Sequence, residues 1–437
     1  MKDNPIVSVI LTSFNHAKYL GEAIDSTLNQ TFTDFELIIW DDASCDNSWE
    51  VINEYNDPRI KRFRNDIQRR GGWGMNKAIT EIASGKYIAI HHSDDAWEPE
   101  KLQRQDAFLD AHREIGAVFT NALIIAEDSS PFTDETHFYF TIFNQSNRTR
   151  HEWLRYFFYH GNALCHPSIL IRKSCYEACG LYRFGLVNGD FDMWIRLCLK
   201  YEIHVLPEKL VRFRVRDNEA NASGNRRETR IRGIYEFHKT LNHYRKIKTV
   251  DDLVKIFPSA VTYDRKEETD IAFVLAMIAL EEKPFFFTPL FGLEILFEVI
   301  ADPVRSANIK RLYDFDYKRF IALTAQHDIF SREEVASLYL AVADRDGQIT
   351  NLNRTVADRD GEIINLKQTV ADRDGEIINL NQTVAERDGI IAQITSSNSW
   401  KMTLPLREAK QWLMNPMSQA KRYWRKATKR AKAVCSG

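Results

Sequence analysis

Three acidic clusters carry the chemistry that this sequence can do. The sharpest is His91-His92-Ser93-Asp94-Asp95, where an apolar run over 87–90 stops at two adjacent carboxylates. Neighbouring carboxylates repel each other unless a cation or a donor-rich ligand neutralises them, so a pair at the end of a buried strand suggests a divalent metal held through oxygen. Helix capping competes with that reading, because Pro99 suits the first position of a helix over 101–109 and Asp95 lies close enough to serve as its cap. The second cluster is Asp41-Asp42, directly behind the apolar run 35–40. The third, Asn188-Gly189-Asp190-Phe191-Asp192, opens a helix, where the dipole favours carboxylates whether or not they react.

Each cluster needs an element to hold it. Residues 6–11 are a β-branched run that ends in Thr12-Ser13-Phe14-Asn15, and Leu20, Ile24 and Leu28 then follow helical spacing. Residues 35–40 form a second strand and 60–64 a third, weaker one, with a short helix between them starting near Asp46 and Ser48. Further strands are expected at 117–125 and from His166 to Arg172, the latter followed by a helix stopped at Gly180. Strands alternating with helices imply right-handed crossovers and an α/β fold with a largely parallel sheet. Ligands sit at the carboxyl ends of such strands, and Thr12 to Asn15, Asp41-Asp42 and Asp94-Asp95 all fall there. Gly71-Gly72-Trp73-Gly74, ahead of a helix over 75–82, fits a plain turn or a phosphate-cradling loop. It is neither the dinucleotide fingerprint nor a P-loop.

Length and composition set the frame. A chain of 437 residues exceeds what one core usually organises, and 44% hydrophobic with 27% charged residues describes mostly globular structure. The six cysteines show no zinc spacing and build no dense disulfide framework, which suits a reducing cytosol. No signal peptide is expected, because a strand pattern starts at Ile6. The most lipid-like run, 284–300, is broken by Pro289, Glu294 and Glu298; it reads as a buried helix, with a membrane-dipping segment as the alternative. Residues 398–437 hold ten Lys and Arg against the single Glu408, a net +9; the whole chain carries −2, so the remainder carries −11. Such separation points to an anionic partner for the tail alone.

These clusters, in this order, resemble the family 2 glycosyltransferases of GT-A fold, the inverting class that builds bacterial surface polysaccharides. The resemblance covers residues 6–223. It rests on Val9 to Asn15, Gln30-Thr31-Phe32, Glu36 to Ile39 running into Asp41-Asp42-Ala43-Ser44, Gly85 to Ile88 running into Ser93 to Trp97, Pro99 to Leu102, His166-Pro167-Ser168 and Asp190 to Trp194. It implies a Rossmann-like, mostly parallel sheet with helices on both faces and a nucleotide-sugar donor contacted by Thr12, Phe14, Asn15, Asp41, Asp42, Asn76, Ser93 and Asp94. A carboxylate among these can accept the ring N–H of a uracil, thymine or guanine base. The resemblance further implies Mg2+ or Mn2+ at Asp94, Asp95 and His92, and Asp190 as the general base that activates an acceptor hydroxyl. His166, Asp192, Trp194, Arg214 and Arg216 are the candidates for contacts with the acceptor or the diphosphate. Three positions depart from the family pattern. His92 replaces the usual acidic residue two before Asp94, Gly189 replaces the common Glu before Asp190, and Met75 replaces a frequent Arg. An inactive sugar-nucleotide-binding scaffold and a nucleotidyltransferase are the other readings.

Four segments are expected: a transferase domain over 1–230, a helical region over 231–341, a coiled coil over 342–397 and a basic tail over 398–437. The coiled coil is read from a fourteen-residue repeat, Val342-Ala343-Asp344-Arg345-Asp346-Gly347 and its three successors, which places Val342, Ile349, Val356, Ile363, Val370, Ile377, Val384 and Ile391 every seventh residue. A rod about 80 Å long and a homo-oligomer follow. In the tail, Trp412, Tyr423 and Trp424 mix with Lys and Arg, a composition suited to an anionic membrane surface. The expected partners are thus a nucleotide-sugar donor, a glycan or lipid-linked glycan acceptor and a membrane, with no nucleic acid. The expected location is cytoplasmic, peripheral at the inner face of the cytoplasmic membrane.

Overall fold

Runs that alternate in the direction of their side chains become the strands. In the computed structural model, which describes residues 4–70, 72–282, 288–329 and 332–396, these are β1 (Val7–Ser13), β2 (Phe35–Asp41), β3 (Ile60–Arg64), β4 (Tyr87–His92), β5 (Ala96–Trp97), β6 (Ile115–Ile125), β7 (Leu170–Arg172) and β8 (Glu202–Arg214). They form one sheet in the order β3-β2-β1-β4-β7-β6-β8-β5. β1 runs parallel to β2 and β4, and β2 parallel to β3. β7 is antiparallel to both its neighbours, and β5 is antiparallel to β8.

Both faces of the sheet are covered. Val9, Leu11, Leu37, Ile39 and Ala89 enter one buried cluster, whereas Ile10, Ile38, Trp40, Ile88 and Ile90 enter the other. Burial on both faces is what a helix-flanked parallel sheet requires. The helices of this part are α1 (Ala17–Leu28), α2 (Ser48–Glu54), α3 (Trp73–Lys77), α4 (Lys101–Ala111), α5 (Tyr139–Ile142), α6 (Arg150–His160), α7 (Lys173–Cys179) and α8 (Gly189–Cys198). A full capping box of Thr149 and Glu152 starts α6. Gly180, at φ 82°, stops α7 where a side chain would be strained. Gly85 leads into β4 because a Cβ there would lie 2.6 Å from the Ser8 nitrogen.

Three local expectations change. His166-Pro167-Ser168 is a single 3-10 turn rather than strand, and β7 begins only at Leu170, past a proline that has no N–H to donate to a ladder. The helix expected over 75–82 starts at Trp73 and widens into a π-helical turn at Ala78–Ile82. Asp95 does not cap α4, whose N-cap is Glu100.

A helical region follows, comprising α9 (Arg227–Leu241), α10 (Val250–Ile256), α11 (Ile271–Glu281), α12 (Thr288–Ala301), α13 (Pro303–Tyr313) and α14 (Tyr317–Gln326). Tyr244, Phe257, Phe273, Leu296 and Phe315 belong to the same buried cluster as Ile10 and Trp194, so these helices share one core with a face of the sheet. α11 is apolar all round because Phe273 to Leu280 are all buried. In α12, Phe291, Leu293, Ile295, Leu296 and Val299 are buried as well. Among the described residues no helix is long and apolar enough to cross a membrane.

The chain divides into two units, Met1–Glu334 and Val335–Gly437. The described part of the second is helix, since α15 spans Arg332–Ser396, 65 residues. Its seventh-residue stripe is exposed throughout, from Val342 at 55% to Ile391 at 48%. The basic tail over 398–437 lies outside the described residues.

Candidate active site

β1, β2 and β4 end on one rim, and Thr12 is the register partner of both Trp40 and His92. The chain turns sharply after β4, with the Asp95 N–H donating to the His92 carbonyl at 3.2 Å. That turn buries Asp95 to 2% exposure. Its Oδ1 accepts from the Arg214 N–H at 2.8 Å, while its Oδ2 has no hydrogen-bond partner and lies 3.6 Å from His92 Nδ1. Asp94 keeps its carboxylate nearer solvent, 3.8 Å from Arg216 Nη1 and 4.0 Å from His16 Nδ1. Ligand atoms of His92, Asp94 and Asp95 all lie within 4.8 Å of one another. A buried carboxylate oxygen without a donor, next to a second carboxylate, fits a divalent cation. Burial, with the charge of Asp94 adding to it, pushes the Asp95 carboxyl up to about 6 against the pull of His92.

His92 begins a hydrogen-bonded file. Its Nε2 meets His166 Nδ1 at 3.1 Å, His166 Nε2 meets the Tyr182 hydroxyl at 2.9 Å, and Tyr182 meets the Tyr176 hydroxyl at 3.1 Å. In a neutral imidazole one nitrogen donates and the other accepts, so these contacts share one direction along the file. Burial holds the His166 ring well below the usual histidine range. On His92 burial acts the same way, but Asp95, Asp94 and Asp190 outweigh it and raise the ring.

Asp190 stands on the first turn of α8. It is half-buried, and burial raises its carboxyl above the usual range. Asn162 Nδ2 donates to its Oδ2 at 2.9 Å, while Asn162 Oδ1 accepts from the Leu164 N–H at 3.1 Å, so the amide is oriented from both ends. Asp192, two residues on, faces away from that contact. It is fully buried and paired with Arg196 at 2.9 Å, Arg183 at 3.1 Å and His243 at 2.7 Å. It anchors α8 and is not free to meet an acceptor. Trp194 is buried too, edge-on to Phe119 and His166.

On the other side of the rim, Asp41 and Asp42 differ. Asp41 is fully buried, accepts from the Ser44 hydroxyl at 2.5 Å and N–H at 3.0 Å, and lies 3.3 Å from Arg64 Nε. It is spent on closing its own loop, which corrects its assignment as a nucleotide contact. Asp42 is half-buried; its Oδ1 accepts from Asn65 at 2.6 Å and the Arg69 N–H at 2.8 Å, and its Oδ2 from the Arg70 N–H at 2.9 Å. One lone pair on Oδ2 is therefore left for a ligand. Thr12, Phe14 and Asn15 line the end of β1 half-buried. Asn15, at φ 54°, accepts from the Cys45 N–H at 2.9 Å. Asn76 is also corrected, because both ends of its amide bind the backbone of Tyr182, at 2.8 and 3.1 Å.

The two arginines part company as well. Arg214 is 1% exposed and donates to the carbonyls of Asp94, Ala126 and Glu127, to Ser129 and to Glu22. It clasps the acidic turn from behind and cannot reach a diphosphate. Arg216 stays at the rim, Nη1 2.9 Å from His16 Nε2, with a buried Nε that has no hydrogen-bond partner. His16 was missed in the sequence. Its Nδ1 meets the hydroxyl of buried Ser93 at 2.8 Å, so it joins the loop after β1 to the acidic turn.

A family model described as "Glycosyl transferase family 2" matches residues 8–175. "Putative glycosyltransferase EpsE" of Bacillus subtilis (strain 168) is 30% identical over 208 residues, which span 45% of this chain and 68% of that protein. An Escherichia coli protein, "UDP-Glc:alpha-D-GlcNAc-diphosphoundecaprenol beta-1,3-glucosyltransferase WfaP", is 34% identical over 108 residues, 25% of this chain and 43% of that one. Among solved structures, S. aureus TarS 1-349 in complex with UDP-GlcNAc aligns at a TM-score of 0.48 and 16% identity, over 76% of this chain and 91% of that chain.

Proposed function

The chain belongs to glycosyl transferase family 2, and from that premise we propose that it moves a sugar from a nucleotide-sugar donor to a hydroxyl of a lipid-linked glycan, with inversion, in building a cell-surface polysaccharide. The observation that carries the reading is the pairing of two different acidic environments on one rim. Asp94 and Asp95 form a cation-fitting pair, and Asp190 is a single oriented carboxyl close enough for His92 to feel all three. The lipid-linked acceptor is supported by the E. coli relative, which is named for transfer to a diphosphoundecaprenol-borne GlcNAc.

Asp42 accepts a ring N–H of the base through its remaining lone pair, and Phe14 and Thr12 border the same end of β1. Asp94, Asp95 and His92 would hold a divalent cation, which supplies charge to offset that growing on the leaving diphosphate. Arg216, at the rim beside Asp94, adds positive charge near the same group. Asp190 takes the proton of the acceptor hydroxyl while that oxygen bonds to the anomeric carbon, and the bond from this carbon to the diphosphate oxygen breaks on the opposite face. Asn162 keeps the accepting carboxylate aimed. The repeat in α15 pairs copies of the chain, and the tail over 398–437 holds them peripherally on the inner face of the cytoplasmic membrane.

Calorimetry on two variants tests the assignment. Asp94→Asn should weaken metal-dependent nucleotide binding, whereas Asp190→Asn should leave binding intact, and both should lose transfer. Full transfer by Asp190→Asn removes it as the base.

A further inference from the structure

We propose that the outward face of α9, together with the loop leading into α8, is a docking surface for an anionic lipid bilayer. Ile231, Ile234 and Tyr235 are 55%, 38% and 60% exposed, and their i, i+3, i+4 spacing puts them on one face of the helix. Glu236, Thr240 and Leu241 form the buried face. In the loop before α8, Phe184 and Val187 are exposed as well, at 63% and 46%. Loop and helix are tied together, because the N–H groups of Val187 and Asn188 both donate to the Glu236 carboxylate, at 2.9 and 2.8 Å. Glu236 is the neighbour of Tyr235 on α9.

Charge selects the occupant. Glu228 is exposed on α9 too, but Arg227, Arg230 and Lys239 are exposed beside it and outnumber it, and among the described residues none of these three pairs with a carboxylate. Arg230 donates to Asn225, and Lys239 lies over the Tyr235 ring at 5.5 Å. Arg227 and Arg230 stand in the first turn, where cations oppose the helix dipole, so the helix itself gives no reason for them. Nor does general composition, since the chain outside its tail is strongly acidic. Aliphatic and aromatic side chains rimmed by unpaired guanidinium and ammonium groups suit the boundary between acyl chains and anionic headgroups.

Location gives the surface a use. Asp190 follows Asn188 by two residues, so a bilayer against this face would present a membrane-borne acceptor hydroxyl at the mouth of the site. That use rests on the transferase reading above; binding to the bilayer does not.

The test titrates the full chain with vesicles of mixed phosphatidylglycerol and phosphatidylcholine, and with phosphatidylcholine alone, and reads partitioning by sedimentation. Ile231→Ser/Tyr235→Ser and Arg227→Gln/Arg230→Gln should each lower partitioning onto the anionic vesicles roughly tenfold, with little binding of any form to the neutral ones. Slow donor hydrolysis in solution should be unchanged in both variants. A chain that never hydrolyses any donor sinks the transferase reading and leaves the vesicle result to stand by itself. In the unaltered chain, anionic vesicles should slow amide hydrogen exchange over 227–241, which keeps the test valid should a variant fold poorly. Unchanged partitioning in both variants, or unchanged exchange over 227–241, overturns the proposal. So does a fall in the variants' mass by light scattering without a fall in partitioning, which would assign this face to a second copy of the chain.

Discussion

Asp190 and Asp192 show how two carboxylates of one motif come to do different work. Positions two apart on an α-helix point about 200° apart around its axis, so when one faces the rim the other must face the core. Asp192 is therefore buried among Arg196, Arg183 and His243. Removing one partner of a buried ion pair leaves the others uncompensated, and Asp192→Asn should cost about 3–5 kcal/mol of stability at neutral pH, measured by urea unfolding. Burial alone would raise the Asp192 carboxyl, but the His243 hydrogen bond and the two guanidinium groups outweigh it and hold it below the usual range. A depressed folded pKa gives stability that is present above the ordinary carboxylate range and lost as pH falls through the folded value. The gap between variant and parent should hence narrow in acid. Asp190 behaves oppositely. It accepts a proton only when ionised, and burial raises it, so kcat/KM should climb with pH through a value above that of an ordinary aspartate. Asn162→Leu removes a hydrogen bond to the charged form and should move that climb to higher pH.

At the scale of elements, what could be read in advance was what repeats locally. The apolar runs before Asp42 and Asp94 predicted β2 and β4, and their shared rim followed from the alternation of strand and helix. His16 was not legible, because its partner Ser93 lies 77 residues away and reaches it only through the register of β1 on β4. The different fates of Arg214 and Arg216 were hidden for a related reason. Both share one parity, but β8 ends at Arg214, so the period that would have placed Arg216 stops two residues short of it. The heptad stripe of α15 was plain in the sequence and is exposed along its whole length in the single chain. Exposed β-branched residues every seventh position call for a partner helix. A chain ending near residue 330 should accordingly show a lower oligomeric state by light scattering while donor hydrolysis survives. Equal states would mean that the stripe serves another protein.

The whole molecule separates its charge, with +9 on residues 398–437 and an acidic remainder. Each basic residue near an anionic surface is worth about 1 kcal/mol, so a chain ending at Ser397 should sediment less with anionic vesicles and extend a lipid-borne acceptor poorly. Salt should release the intact chain only in part, because screening weakens charge and spares the aromatic contribution of Trp412 and Trp424. A feature at the Asp42 end of the same rim offers a way to watch the site. Trp40 stacks on Phe63 at 4.9 Å, stands edge-on to Trp73 at 5.7 Å and donates its indole N–H to Asn65, whose amide in turn binds Asp42. A base arriving at Asp42 draws on the carboxylate that holds Asn65, and the indole at the other end of that amide is a natural fluorophore. Donor binding should thus register as a shift in ultraviolet emission, with no label attached.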